Sequence, residues 1–267
     1  VGMKIKLQAL SKELSPLHIS TSANEAANKL TLALGGKEAP VGRRKLIKPL
    51  RASGSVRRRF AARGRFLSHL AGLLLGKPLD GLLALLRVTE FYGQLPGSNI
   101  KDISHFDHRF DEFWTQSERH RSIAVVRDAA YLNWRYARYP FAGIEAFSLE
   151  MDGDLSGFAA IHTSREEGEV FVAVLELMAA VDRPEAHEQL LGEVVRRAVD
   201  AGASSITART ADAALESLLI RRGFRLRTTS YSPVTYKNNT SVDDAFFEAD
   251  GNWYLSQGDG DGCFFYD

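Results

Sequence analysis

The sequence predicts an α+β fold: a mixed central sheet flanked by helices and preceded by a basic helical linker. Three observations lead there. Apolar runs of strand length alternate with helical stretches across the C-terminal two-thirds of the chain. Polar clusters, Asp152-Gly153-Asp154 and Glu166-Glu167-Gly168-Glu169, separate consecutive runs as hairpin turns would. Of the 267 residues, 45% are hydrophobic, which is ample for a buried core.

The elements follow in order. Lys4 to Leu14 places Leu7, Leu10 and Leu14 on one helical face, and Pro16 stops it. Leu17 to Thr21 reads as a short strand. Asn24 caps a helix in which Ala26, Ala27, Leu30 and Leu34 recur at helical spacing, and Gly35-Gly36 closes it. Residues 43 to 77 are rich in Arg and Lys and become helical in pattern from about Val56. Helices are expected over Asp107 to Gln116 and Asp128 to Arg138, the second ended by Pro140. Strands are expected over Ile144 to Leu149, Leu155 to Thr163 and Val170 to Val181. Glu185 to Ala201 is an amphipathic helix burying Leu190, Leu191, Val194, Val195 and Ala198. Ser205 to Ala208 reads as a strand, and Asp212 caps a helix running to Arg222 before Gly223-Phe224. Two strands, near Leu226 to Tyr236 and Trp253 to Ser256, complete the series. The expected division is residues 1–42, a helix-strand-helix unit; 43–100, the basic helical linker; and 101–267, the main domain.

Charge is divided unevenly. Residues 1–100 hold 17 Lys and Arg against 5 Asp and Glu, a balance of +12; the remainder holds 17 against 28, a balance of −11. Opposite charges favour docking of the two parts on each other. The basic run Arg43 to Arg65 also suits an anionic membrane surface or nucleic acid, both less favoured readings. One cysteine, Cys263, excludes an internal disulfide framework and a four-ligand Cys zinc site, and fits a reducing, cytoplasmic setting. The leucine-rich stretch Phe66 to Leu86 is interrupted by Lys77, Pro78 and Asp80 and does not read as a bilayer span. Gly72…Gly76-Lys77 is one residue short of a phosphate loop, and no Gly-x-Ser-x-Gly elbow is present. His105-Phe106-Asp107-His108 with Asp111 has metal-like composition, but the neighbouring Phe106, Phe110, Phe113 and Trp114 point to a packed helix, so no metal site is assigned. Gly258 to Gly262 reads as a polar C-terminal turn rather than a calcium loop, since the bidentate Glu is absent.

Two helices, a three-strand meander, helix, strand, helix and two strands is an order similar to the GNAT (GCN5-related N-acetyltransferase-like) superfamily. Asp212-Ala213-Ala214-Leu215…Gly223-Phe224 resembles the family's Asn-x-x-Ala…Gly-Phe ending, and Arg127-Asp128…Tyr131-Leu132-Asn133-Trp134-Arg135-Tyr136…Pro140 looks like a subgroup of GNAT-like bacterial proteins. The resemblance covers roughly residues 101–267. Asn24, Leu30 and Gly35 repeat the spacing of Asp212, Leu218 and Gly223, so residues 3–40 resemble the C-terminal half of a second, truncated GNAT-like domain, with an upstream meander expected.

The resemblance implies acetyl-CoA as acyl donor, its pantetheine arm lying between two splayed strands and its pyrophosphate at a helix N-terminus. It places cofactor-binding residues at Leu177, Met178, Ala179, Ala180, Val181, Arg183, His187 and Asp212, and a catalytic base at Glu176. The phosphate loop here, Asp182-Arg183-Pro184-Glu185-Ala186-His187-Glu188-Gln189, is shorter than the family's and has no glycine. The family's acidic Tyr position is Leu219, and Thr31 in the N-terminal echo; Tyr231 and Tyr236 are candidates by proximity in sequence. The implied function is transfer of an acetyl group to an amine of a small molecule. The alternative is a catalytically degenerate module that binds a ligand or partner. Separately, self-association through residues 1–42 is an expected partner contact.

Overall fold

A computed structural model describes residues 16–21, 24–52, 72–78, 80–81, 95–118, 122–139, 143–229 and 234–260. The helix read over Lys4 to Leu14, the helical pattern from Val56 to residue 71, and Tyr231 lie outside them. The chain forms β1 (Leu17–Ser20), α1 (Glu25–Ala33), β2 (Lys37–Glu38), β3 (Arg44–Pro49) and β4 (Ser98–Asp102). It continues through α2 (Arg109–Glu118), β5 (Ile123–Ala124), α3 (Ala129–Leu132) with a following π-type turn Asn133–Ala137, β6 (Ile144–Met151), β7 (Asp154–Glu166) and β8 (Glu169–Ala179). It ends with α4 (Glu185–Asp200), β9 (Ser205–Ala208), α5 (Ala213–Arg221), β10 (Arg225–Thr228), β11 (Thr235–Asn238), α6 (Asp244–Glu248) and β12 (Trp253–Tyr254). No described helix is long and apolar enough to cross a membrane.

Seven strands form the main sheet in the order β10-β3-β9-β8-β7-β6-β4. Neighbours are antiparallel except β8 and β9, which run parallel. The sheet separates two apolar layers. On one face α4 contributes Leu190, Leu191, Val194 and Ala198 against Leu149, Ile161 and Leu177. On the other, α2, α3 and the segment ahead of α2 bring Phe106, Phe110, Phe113, Trp114 and Leu132 against Phe158, Leu175 and Met178. Phe158 sits at the centre of this second layer, with edge-on contacts to Phe106, Phe110 and Phe113. Such pairs add to what their buried area provides. His105, Asp107 and His108 precede α2, and Asp107 binds Arg109, in keeping with a packed helix and a polar outer side.

Arg44 to Pro49 departs from the expected helical linker. It is a strand inserted between β9 and β10, with Leu46 paired to Ala208 and to Leu226. Leu46 and Leu50 are fully buried. Lys48, on the same face as Leu46, is buried too. Its ammonium donates to the Arg222 carbonyl (2.6 Å) at the C-terminal end of α5, where the helix dipole favours a cation. Arg44 pairs with Asp250 at 3.0 Å, so this part of the basic segment docks on the acidic part of the chain.

The place vacated by β11 is the reason for the insertion. Instead of joining the main sheet, β11 lies between β1 and β2 in a separate three-stranded sheet, β1-β11-β2. That order repeats β9-β3-β10. In each triplet a strand from one end of the chain fills the gap between two strands from the other end. The helix between the outer strands matches as well. Asn24 and Asp212 cap α1 and α5 through their side chains, and Gly35 and Gly223 take φ of 81° and 82° at the helix ends, a left-handed turn that suits glycine. Tyr236, Phe247 and Trp253 fill the core under the small sheet.

Candidate active site

A bulge positions Glu176. Ala160 on β7 faces Glu176 while Ile161 faces Val174, which leaves Leu175 as an extra residue on β8. Val174 and Leu177 pack toward α4, and Leu175 and Met178 toward α2 and α3. Glu176 joins the latter side, where Arg127 waits just ahead of α3.

The parallel pairing of β8 with β9 runs from Phe171–Ser205 to Val174–Ala208. Past that point the strands part. The continuation of β9 pairs with the C-terminal segment instead: Thr210 bridges Ser256, and the Ala211 amide donates to the Leu255 carbonyl at 3.0 Å. The slot between them is walled by Val174, Leu177, Leu215 and Leu219, with Glu176, Tyr254 and Ser256 at its polar end. It is narrow. The space open to a water-sized sphere is about 10 Å³, room for a single water.

Glu176 is buried and fully engaged. Its Oε2 accepts from Arg127 Nε (3.0 Å) and Ser256 Oγ (2.9 Å), and its Oε1 accepts from the Tyr254 hydroxyl (3.1 Å). Arg127 also donates through Nη2 to Asp259 Oδ2 (2.7 Å) and through Nη1 to the Val125 carbonyl. The guanidinium stands 4.8 Å from the Tyr254 ring centroid. Two carboxylates therefore share one guanidinium in a dry setting. Burial pushes the Glu176 carboxyl above its usual range, opposed by Arg127 and reinforced by Asp259. Arg127 stays protonated, because Glu176 and Asp259 together outweigh its own desolvation. Burial likewise drives the Tyr131 and Tyr136 phenols upward.

Residues 256–260 form a strap over this cluster. Arg135 donates to the carbonyls of Gly258 (2.8 Å) and Gly260 (2.9 Å), and Ser256 and Asp259 cap the tight turn between them. At Gly258 a Cβ would lie 2.2 Å from the Tyr136 hydroxyl and 2.9 Å from the Leu175 carbonyl, so only glycine lets the strap seat here. The polar C-terminal turn is thus an inward, site-forming element.

The remaining expected residues distribute as follows. Leu177, Met178 and Ala179 lie on β8 where it leaves β9, and Ala180 and Val181 follow it. Arg183 is turned to the β6–β7 turn, donating to Met151 O and Asp152 Oδ2 at 3.3 Å. The first amides of α4 are taken by loop carbonyls: Ala186 N donates to Arg183 O and His187 N to Pro184 O. Asp212 caps α5 through Ala214 N and Leu215 N. Leu219 is a slot wall, and Tyr236 is a buried sheet aromatic packed in the core under the small sheet. Tyr254, Ser256 and Asp259 were missed in the sequence, because the spacing of a terminal turn does not reveal which strand it crosses. Arg127 stood within a recognised motif without an assigned role.

No protein-family model and no curated protein matches the sequence. Solved structures do match the fold. A GCN5-related N-acetyltransferase from Anabaena variabilis superposes with a TM-score of 0.52 over 89% of this chain and 50% of its own, at 11% identity. A conserved protein from Enterococcus faecalis, described as a probable N-acyltransferase, gives the same TM-score and identity over 89% and 49%. The chain spans about half the length of these two proteins. With its splayed parallel pair, its capped helix before Gly223-Phe224 and these neighbours, the chain has the GCN5-related N-acetyltransferase fold.

Proposed function

We propose that the chain is an N-acetyltransferase moving the acetyl group of acetyl-CoA to an amine of a small-molecule substrate. The parting of β8 from β9, with Glu176 at the polar end of the slot, is the observation that carries this reading. Apolar walls suit the acyl and pantetheine chain, and the backbone from Leu177 to Val181 offers it edge hydrogen bonds. Glu176, pushed above its usual carboxylate range by burial, suits a base that removes the ammonium proton. Arg183 is held by long contacts to the Met151 carbonyl and to exposed Asp152, the latter a pair of small worth, so a phosphate can displace them. His187 lies in the first turn of α4, just after Arg183, and Asp212 caps the helix lining the slot. Entry of the arm requires the walls to part, with the strap as the movable wall. The repeated strand order supports reading residues 3–40 as the second half of a further GNAT-like unit.

Calorimetry with desulfo-CoA and a thiol-release assay with acetyl-CoA test the proposal. Micromolar binding and acetylation of an amine are expected, with transfer lost in Glu176→Gln. Saturating acetyl-CoA should also raise the thermal midpoint by mass action; an unmoved midpoint and no heat of binding would refute it. A second reading, a binding module without turnover, is favoured by the glycine-free loop and by the strap sealing Glu176. It predicts binding of a ligand without thiol release.

A further inference from the structure

The family's usual tyrosine position is Leu219 here, an apolar slot wall, so a proton donor for the leaving thiolate must come from elsewhere. Among the described residues lining the slot, Tyr254 is the one phenol. It comes from the C-terminal segment, 78 positions from Glu176, and its hydroxyl donates directly to Glu176 Oε1 at 3.1 Å. The Arg127 guanidinium over its ring favours negative charge on the phenol oxygen. Of the two aliphatic hydroxyls in the lining, Thr210 accepts from the Asp212 amide (3.0 Å), and Ser256 is bound to Glu176 Oε2 and lies within 3.5 Å of Asp259 Oδ2, between two carboxylate oxygens that disfavour an alkoxide.

Resting on the acetyltransferase reading, we propose that Tyr254 is the general acid, and that it exchanges protons with Glu176 directly. The balance closes within the dyad. Glu176 takes the proton of the substrate ammonium. The freed amine nitrogen bonds to the acetyl carbonyl carbon, the C–S bond breaks with its electron pair on sulfur, and the nitrogen loses its remaining surplus proton to solvent. The thiolate takes the Tyr254 proton. Glu176 then returns its own proton to the phenolate across the hydrogen bond they already share. Both groups end as they began. Among the described residues, the charged and titratable groups about the dyad are Arg127 from the loop before α3, Tyr131 and Tyr136 from α3 and its π-type turn, Asp259 from the strap, and Arg209, which lines the slot.

The test uses the full chain with acetyl-CoA, and glucosamine and ethanolamine as amine probes. Tyr254→Phe should bind desulfo-CoA within twofold of the parent while kcat falls about a hundredfold or more, the scale of a lost general acid. Ser256→Ala should lose less than tenfold. Site-specific 3,5-difluorotyrosine at position 254 keeps the shape but acidifies the phenol, and should move the alkaline limb of the kcat–pH profile down by at least one unit. This second variant answers the question if Tyr254→Phe unseats the strap. Tyr254→Phe that transfers within threefold of the parent, or an alkaline limb unmoved by the fluorinated residue, overturns the assignment while leaving the acetyltransferase reading intact. A parent that binds no desulfo-CoA and releases no thiol overturns both.

Discussion

Arg127 holds two carboxylates that would otherwise repel each other in a dry interior. Replacing it with Met keeps the volume but leaves Glu176 and Asp259 buried side by side. The expected loss is about 3–5 kcal/mol in urea unfolding, the scale for breaking a buried ion pair. Arg127→Lys should recover less than half of it, since an ammonium cannot reach both partners as a planar fork does. A double-mutant cycle of Arg127→Met with Glu176→Gln isolates the coupling, and a coupling near zero would contradict the shared-guanidinium account. Gly258→Ala offers a second check at this scale. Its methyl would meet Tyr136 and the Leu175 carbonyl, so the strap should lift, costing about 1–3 kcal/mol as other overpacked sites do. Hydrogen exchange should show faster opening of residues 256–260 in that variant, and unchanged protection there would count against the seating.

Among the elements, the β6–β7–β8 meander, α4, β9 and capped α5 were all legible in the sequence. Their periodicity, turn residues and caps are local signals, read within a few positions. Arg44 to Pro49 was not, because Arg44, Lys45 and Lys48 mask the alternation that Leu46 would otherwise reveal. A buried lysine is tolerated there only because α5 presents a carbonyl to it, a fact absent from any local window. Glu176 was found from its strand, whereas its partners arrive from residues 127, 254 and 256. Ion pairs also tie elements together. Glu150 on β6 accepts from Lys101 on β4 and from Arg109 on α2, and these hydrogen bonds hold its carboxyl below the ordinary glutamate range. A depressed acid stabilises the fold above its unfolded value, about 4.3, and that contribution is lost as pH falls through the lowered one. The thermal midpoint of Glu150→Gln should therefore trail the parent at pH 7 and converge on it as pH falls below the unfolded value and through the lowered one. A gap that stays constant with pH would assign the loss to packing instead.

At the scale of the whole molecule, the reciprocal placement of β3 and β11 sets a timetable for synthesis. Leu46 pairs with Ala208 and Leu17 with Asn238, so neither end can settle until nearly all of the chain exists. At a ribosomal rate of roughly 5–20 residues per second, β3 leaves the tunnel about 10–30 s before its partners. Throughout that interval Leu46, Ile47 and Leu50 have no sheet to enter, and the gap between β1 and β2 stays open until β11 appears. The cations that mask this strand in the sequence, Arg43, Arg44, Lys45 and Lys48, then have a use before folding. Flanking charge keeps an unpaired apolar strand from pairing with a neighbouring nascent chain. Replacing Arg43, Arg44 and Lys45 with Gln should lower the soluble yield at 37 °C far more than it lowers the stability of the purified protein. Equal losses in both measurements would show that these charges act in the finished fold alone.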